Sequence, residues 1–421
     1  MGAFSTGFGI GAALHSRRAQ RKEFRENERH NATARGLTDC GIMSASSLLA
    51  GRQKTIAFCA DKKTREVMAA GQISFALSNG IPTVALCESA YDLASALLAE
   101  GVPATLIEII DGYSTTYEPL AKRAQDEAVD IATEAVRTST GAPPEARLYI
   151  DSLITILACK GVRPYIRMLD ACPHGRLHEV IGALETSGIM SALQAADVRS
   201  NLDVAPACRA AVQSFFHGSV IEAPFLADKN ELAISNSITE LASSQTAKAI
   251  VFEVRPGSSK FIVPLLMSEV GLCVAKGIPL NLVFCASAID SWNTIVKNIE
   301  LVNNVAWSIQ AEDALGFFND EKHLIRWLSA CDRLVVFSQP PASSEELSRY
   351  FGEYDKDEMS ITSSSNNSIG RFGYHFAGTG GLAISVKRER VIKPEEIRNL
   401  RQGSFYATEK QRPGVLHGTT L

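Results

Sequence analysis

The sequence carries almost no net charge: 42 Lys and Arg stand against 46 Asp and Glu, leaving −4. No global basic field advertises nucleic acid. Aromatics are scarce, at 7%, and no basic stripe runs between them, so a stacking platform for single strands is not visible. The nine cysteines include no C-x-x-C pair and no even framework, which argues against a zinc ribbon or a disulfide scaffold. Cys59, Cys87, Cys273, Cys285 and Cys331 lie in or beside apolar runs and read as reduced, buried thiols in a cytosolic setting. G-x-S-x-G is absent, which removes the hydrolase nucleophile elbow. G-x-G-x-x-G is absent as a strand–helix turn, since Gly7-x-Gly9-x-Gly11 precedes any strand. His174 and His178 stand four apart beside Glu179, but without the H-E-x-x-H order they read as a surface pair, and no metal site is expected.

What is present is an ordinary globular composition, 46% hydrophobic and 21% charged over 421 residues. At roughly 100–200 residues per domain, two to four domains fit. Residues 1–14, MGAFSTGFGIGAAL, are small and apolar but shorter than the roughly 20 residues that span a bilayer. Arg17, Arg18, Arg21, Lys22 and Arg25 follow directly. Residues 1–45 are therefore read as an N-terminal tail. A disordered or helical extension, the stub of a membrane anchor, and a myristoylated end from Met1-Gly2-x-x-x-Thr6 all remain open.

From about residue 54 short apolar runs alternate with helix-length segments. The runs are 55–60, 83–88, 104–110, 248–254, 280–286, 303–310 and 333–339. They lack strict alternation, which marks strands buried on both faces of a mainly parallel sheet. Thr64–Leu77, Leu93–Glu100 and Phe261–Ala275 read as the helices between, giving an α/β layered domain. Residues 141–240 break the rhythm. Ile150, Leu153, Ile154, Ile156 and Leu157 fall at helical spacing, so an all-helical insertion divides one domain into 46–140 and 241–421. The Ser, Asn and Gly-rich stretch 360–381 reads as a flexible excursion or loose hairpin. Lys387, Arg388 and Arg390 beside it read as a solvated basic edge rather than a DNA contact.

Several stretches occur in an order that resembles one family. They are Gly101–Asp111 followed by Ser114-Thr-Thr-Tyr-Glu-Pro119, Thr246-Ala-Lys-Ala-Ile-Val-Phe-Glu-Val-Arg-Pro256, the strand ending Ser308-Ile309-Gln310, Ala330-Cys331-Asp332, Leu347–Gly352, and Arg390-Val-Ile-Lys-Pro394-Glu-Glu-Ile397. Together they resemble the cytoplasmic part of type IV secretion coupling proteins, the TraG/TraD-like conjugative DNA-transfer ATPases, over about residues 35–415. The resemblance implies a RecA-like, P-loop NTPase-type α/β fold with an all-helical insertion. It also implies hexamers at the inner membrane, and partners among type IV secretion or conjugation proteins.

The chemistry of such motors is not in the sequence. Their phosphate loop, G-x-x-x-x-G-K-[ST], closes backbone N–H groups on the phosphates. The matching turn here reads Phe58-Cys59-Ala60-Asp61-Lys62-Lys63-Thr64-Arg65. Lys63 and Thr64 remain as vestigial cofactor-binding positions, yet every glycine before them is gone, and Asp61 opposes an incoming phosphate. The plainer reading has Asp61 capping an ordinary helix and Lys62, Lys63 and Arg65 forming a solvated face. The acidic pair that organises magnesium and polarises water corresponds to Cys285 and Ala286, neither of which replaces a carboxylate. Asp290 would stand in only if the strand ended elsewhere. In the family's Asp-Pro-Lys-Gly-Glu segment this chain has Glu88-Ser-Ala-Tyr-Asp92, with Ala90 where the Lys belongs. Gln310 persists alone. Losing one transition-state contact costs about 2.7–4 kcal/mol in such enzymes, so losses at three places imply a pseudo-ATPase.

The resemblance therefore implies a non-catalytic, coupling-protein-like component of conjugative DNA transfer or type IV secretion. It would bind a membrane complex, an active coupling ATPase or a transfer substrate through the helical insertion. The expected location is the cytoplasm, at the cytoplasmic face of the inner membrane if the tail anchors it. No cofactor is expected. Two alternatives remain. One is an active DNA-translocating ATPase with an atypical phosphate loop, using ATP and magnesium; the other is a RecA-like scaffold unrelated to secretion.

Overall fold

The computed structural model describes residues 21–113, 115–254, 260–286, 305–370, 373–410 and 412–420. Among the described residues twelve strands form two sheets. They are β1 (Leu37–Met43), β2 (Lys54–Phe58), β3 (Thr83–Cys87), β4 (Ile107–Ile110), β5 (Ala249–Glu253), β6 (Asn281–Ala286), β7 (Ala306–Ala311), β8 (Arg333–Val336), β9 (Glu353–Gly370), β10 (Gly373–Arg390), β11 (Ser404–Glu409) and β12 (Arg412–Thr420). The large sheet has ten strands in the order β1-β12-β11-β8-β2-β7-β6-β3-β5-β4. From β8 to β4 every pairing is parallel. Only β11 runs against its neighbours β8 and β12.

The apolar runs without alternation became these parallel strands because both of their faces are covered. All five residues of β3 and all six of β6 are buried. On one side the helix Lys62–Ser78 lies on the sheet, with Ala69, Ala70 and Ile73 packed against Ala85, Val283 and Cys285. Gly71 lets this helix pass the Ala45–Ser47 turn, where a Cβ would sit 2.1 Å from the Ser46 carbonyl oxygen. On the other side Ile56, Val84, Ile250 and Phe284 share one core with Tyr149, Ile150, Phe215 and Phe216 of the helical segment.

That helical segment lies between β4 and β5. Its first helix, Gln125–Thr140, precedes the expected boundary at 141 and stops on left-handed Gly141 (φ 68°). Helices Ala146–Cys159, Ile166–Asp170, Leu177–Thr186, Ala192–Leu202 and Pro206–Glu222 follow. A buried network fastens the segment to the sheet layer. Glu269, on the helix Ile262–Ala275, accepts from Tyr117 Oη at 2.6 Å and from Thr239 N at 2.9 Å, and pairs with Arg123. Glu118 accepts from the backbone N–H of Leu120 (2.9 Å) and Ile166 (3.2 Å). Its complete burial pushes its pKa up to about 8.

The expected tail over 1–45 needs correction at its end. Residues 21–35 are helical, and 37–43 form β1, paired in parallel with β12 at the sheet edge. The anchor and myristoylation readings fall on residues outside those described. Stretch 360–381 lies within β9 and β10, two 18-residue strands paired from Glu353↔Arg390 to Gly370↔Gly373. This hairpin forms the second sheet.

Candidate functional site

The turn after β2 is where the sequence places the remains of a phosphate loop. Only Cys59, Ala60 and Asp61 separate Phe58, the end of β2, from Lys62, the first helical residue. Three residues cannot wrap a phosphate, and none of them has positive φ. The β2 ladder continues into the turn, since Cys59 N donates to Ala311 O at 2.8 Å. Asp61 caps the helix. Its Oδ2 accepts from Thr64 N at 2.8 Å and from Thr64 Oγ1 at 2.5 Å, and these bonds hold its pKa below the ordinary carboxylate value. The chain's own carboxylate thus sits at the helix N-terminus, the position an anionic ligand would take.

Arg65 corrects the sequence reading. It was expected on a solvated face with Lys62 and Lys63, but it is buried (3% exposed). Its Nη1 donates to Cys59 O at 2.7 Å and to Ala60 O at 3.0 Å, clamping the turn from beneath. The missed signal was helical spacing. Arg65 begins the stripe Arg65, Met68, Ala69, Gln72, Ile73 and Ala76 that faces the sheet. Lys63 is exposed, Thr64 is half-buried, and the Thr64 hydroxyl is spent on Asp61. Lys62 reaches sideways to Asp92 at 2.6 Å and Glu66 at 3.5 Å. One of the two surviving acids of the 88–92 segment is therefore an ion-pair partner across two helix starts.

The other vestigial positions lie inside the sheet. Gln310 on β7 pairs in register with Ala57 of β2 and Cys285 of β6. The structure thus brings Gln310 and Cys285 side by side on strands next to β2, whose end leads through the turn into the helix that carries Lys63 and Thr64. Cys285 and Ala286 are buried, and burial pushes the Cys285 thiol up to about 12. Gln310 is fully buried and donates through Nε2 to Ser308 Oγ, which shares a hydrogen with Thr55 Oγ1 at 2.6 Å. Its Oε1 meets no hydrogen-bond partner among the described residues. Asp290, the possible stand-in carboxylate, lies outside the described residues.

The remaining candidates resolve into ordinary contacts. His174 Nδ1 shares a hydrogen bond with Tyr149 Oη at 2.7 Å, and His178 faces Asp203 at 3.5 Å. Among the described residues no group of three His, Cys, Asp or Glu could hold a metal. Lys387, Arg388 and Arg390 face Glu358, Asp355 and Glu345 at 3.7, 3.8 and 2.7 Å, which leaves a charge-balanced edge. All nine cysteines are free thiols.

This architecture has counterparts among solved structures. The bacterial conjugative coupling protein TrwB is similar over nearly the whole of both chains. Its complex with ADP and Mg2+ aligns with a TM-score of 0.54 at 14% identity, covering 91% of this chain and 88% of that one. Its TrwBdeltaN70 form with sulphate gives 0.53 at 13% identity, covering 91% and 89%. The unbound TrwBdeltaN70 form gives 0.52 at 14%, covering 90% and 88%. At such identity the likeness is one of fold, and it places the chain among mainly parallel, RecA-like α/β proteins. No protein-family model matches the sequence, and neither does any curated protein.

Proposed function

We propose that this chain is a catalytically silent, coupling-protein-like component of a conjugative or type IV secretion apparatus, acting by binding. The secretion context draws support from the shared fold with the coupling protein TrwB over about nine-tenths of both chains, together with the ordered stretches from Gly101 to Ile397. The silent reading is carried by one observation: the turn where a nucleotide would sit is filled from within. Asp61 occupies the helix N-terminus and Arg65 takes the turn carbonyls. TrwB is described in complex with ADP and Mg2+. Here Cys285 and Ala286 offer magnesium no carboxylate, and buried Gln310 cannot position a water.

Binding is then the remaining work. The helical segment from Gln125 to Ala242 is the recognition surface, toward an active coupling ATPase, a membrane complex or a transfer substrate. The chain works in the cytoplasm, at the inner face of the membrane that holds the apparatus. Among the described residues no helix is long and apolar enough to cross a bilayer.

Calorimetric titration with ATP and magnesium, beside a Lys63→Ala variant, tests the silent reading. The expected result is no saturable heat from either protein. Saturable binding that Lys63→Ala abolishes would overturn it in favour of a working ATPase.

A further inference from the structure

The β1 end of the large sheet carries a groove to which no residue of the β2 turn contributes. Strands β11 and β12 pair antiparallel there, with Ser404 opposite Thr419 and Tyr406 opposite His417. Registered partners share a face, and so do residues two apart on one strand, so these four side chains form one patch. Phe405 points the other way, into the core beside Phe337. The patch is the floor of a cavity of about 680 Å3, within the range of small-molecule sites. The short helix Pro394–Arg398 and the turn after it supply the wall, with Glu395 and Glu396 followed by Asn399, Arg401 and Gln402.

The groove is set apart by its polar groups. Tyr406 is 8% exposed, yet no group among the described residues bonds its Oη. A sealed phenol without a partner would be an orphan, whereas this one opens on the cavity that its ring lines. Burial pushes the Tyr406 phenol up, so the hydroxyl keeps its proton and donates. The His417 ring lies against it, with centroids 5.2 Å apart. The side chains of His417, Ser404, Thr419 and Arg401 make no hydrogen bond or ion pair among the described residues.

The neighbouring carboxylates, by contrast, are matched. Glu396 pairs with Arg35 and accepts from Lys393 N at 2.8 Å, and Glu395 lies 3.9 Å from Arg398. Asp39, in register with His417 on β1, accepts from Gly41 N at 2.9 Å. Arg401 is thus the unmatched charge of the groove. Hydroxyl, imidazole and guanidinium donors around one unmatched cation suit an oxyanion. A carboxylate offers two oxygens, fewer than the donors here, whereas a phosphoryl group offers three. A lone phosphate ion would fill little of the groove. The amides of Asn399 and Gln402 and the carboxylates of Glu395 and Glu396 give hydroxyl groups beyond it both donors and acceptors. A triphosphate would bring its further charges against those two carboxylates.

We propose that this groove binds a small phosphate monoester of a polyol. The phosphoryl group sits on Tyr406, His417 and Arg401, and the hydroxylated remainder lies along Glu395 and Asn399. The inference does not rest on the coupling-protein reading, and failure of either leaves the other standing.

Calorimetric titration of the full chain with glucose 6-phosphate, inorganic phosphate and glucose tests it. Saturable binding of glucose 6-phosphate is expected, about tenfold tighter or more than of either fragment. Tyr406→Phe, which keeps the packed ring, and Arg401→Gln should each weaken it about tenfold while melting like the wild type. Lys410→Gln removes an exposed cation that lies outside the groove and should leave binding unchanged. Absence of saturable heat overturns the proposal, and so does binding that both groove variants leave intact. Equal affinity for inorganic phosphate would overturn the ester. Equal losses from Lys410→Gln and Arg401→Gln would overturn the site, because net charge alone would then account for the binding.

Discussion

Arg65→Met removes the clamp under the β2 turn while keeping an unbranched apolar stem in its place. The guanidinium makes two charge-assisted bonds, to Cys59 O and Ala60 O. Bonds of that kind contribute about 1.5–3 kcal/mol each, and the variant leaves two carbonyls without their donors. Part of the loss is offset, because a buried guanidinium costs free energy to desolvate and Arg65 Nε has no partner among the described residues. A net loss of about 2–4 kcal/mol follows. At about 2 °C per kcal/mol for a chain of this size, the melting temperature falls by about 4–8 °C. Thermal melts followed by circular dichroism, with exposed Lys63→Met as control, measure it directly. The same variant should still give no heat with ATP and magnesium, since a three-residue turn cannot wrap phosphate once the clamp is gone. A melt within a degree of wild type would refute the account of Arg65 as the residue that seals the turn.

Two further outcomes follow from buried polar groups. Glu118 keeps its proton in the folded chain up to about pH 8, whereas the unfolded chain releases it near the ordinary value of 4.5. Stability therefore falls as pH rises from 4.5 toward 8, and Glu118→Gln should gain on wild type in melts across that window; parallel curves would contradict this. Gln310→Met removes the orphaned Oε1 and gives up only the bond to Ser308, which keeps Thr55 as partner. A gain of about 1 kcal/mol is expected in the same melts, and a clear loss would mean that Gln310 has a partner or a role that the sealed site does not give it.

The parallel half of the sheet was legible because burial on both faces writes itself into sequence as unbroken Val, Ile, Leu and Phe. In β3, β5 and β6 that rule has no competitor. It fails at the other end of the sheet. There β1 has no buried residue and is mostly exposed, and β12 carries Pro413, Gly414 and Gly418. The glycines of β12 serve close approach: a Cβ at Gly418 would sit 2.6 Å from Cys40 Sγ. Such strands are held by neighbours remote in sequence, Leu37 by Val415 and Tyr406 by Val336, and nothing local announces the pairing. The residue types at the expected phosphate turn and acidic pair could be read one by one, because that chemistry demands fixed types at fixed places. The packing of the turn could not, since Arg65 looks like surface charge until the helix phase is counted from Met68 and Gln72.

The same distinction applies to the end of the sheet beside the turn. Ala57, Gln310 and Cys285 lie in one row across three strands, and the helix starting at Lys62 covers that end of the sheet. Cys285 adds no buried charge to this row, which is neutral or favourable to packing. Closing the turn with Asp61 and Arg65 adds a cap and two charge-assisted bonds where an open phosphate loop would hold strained glycines. A turn closed in this way and a row without buried charge are thus both compatible with a well-packed sheet end.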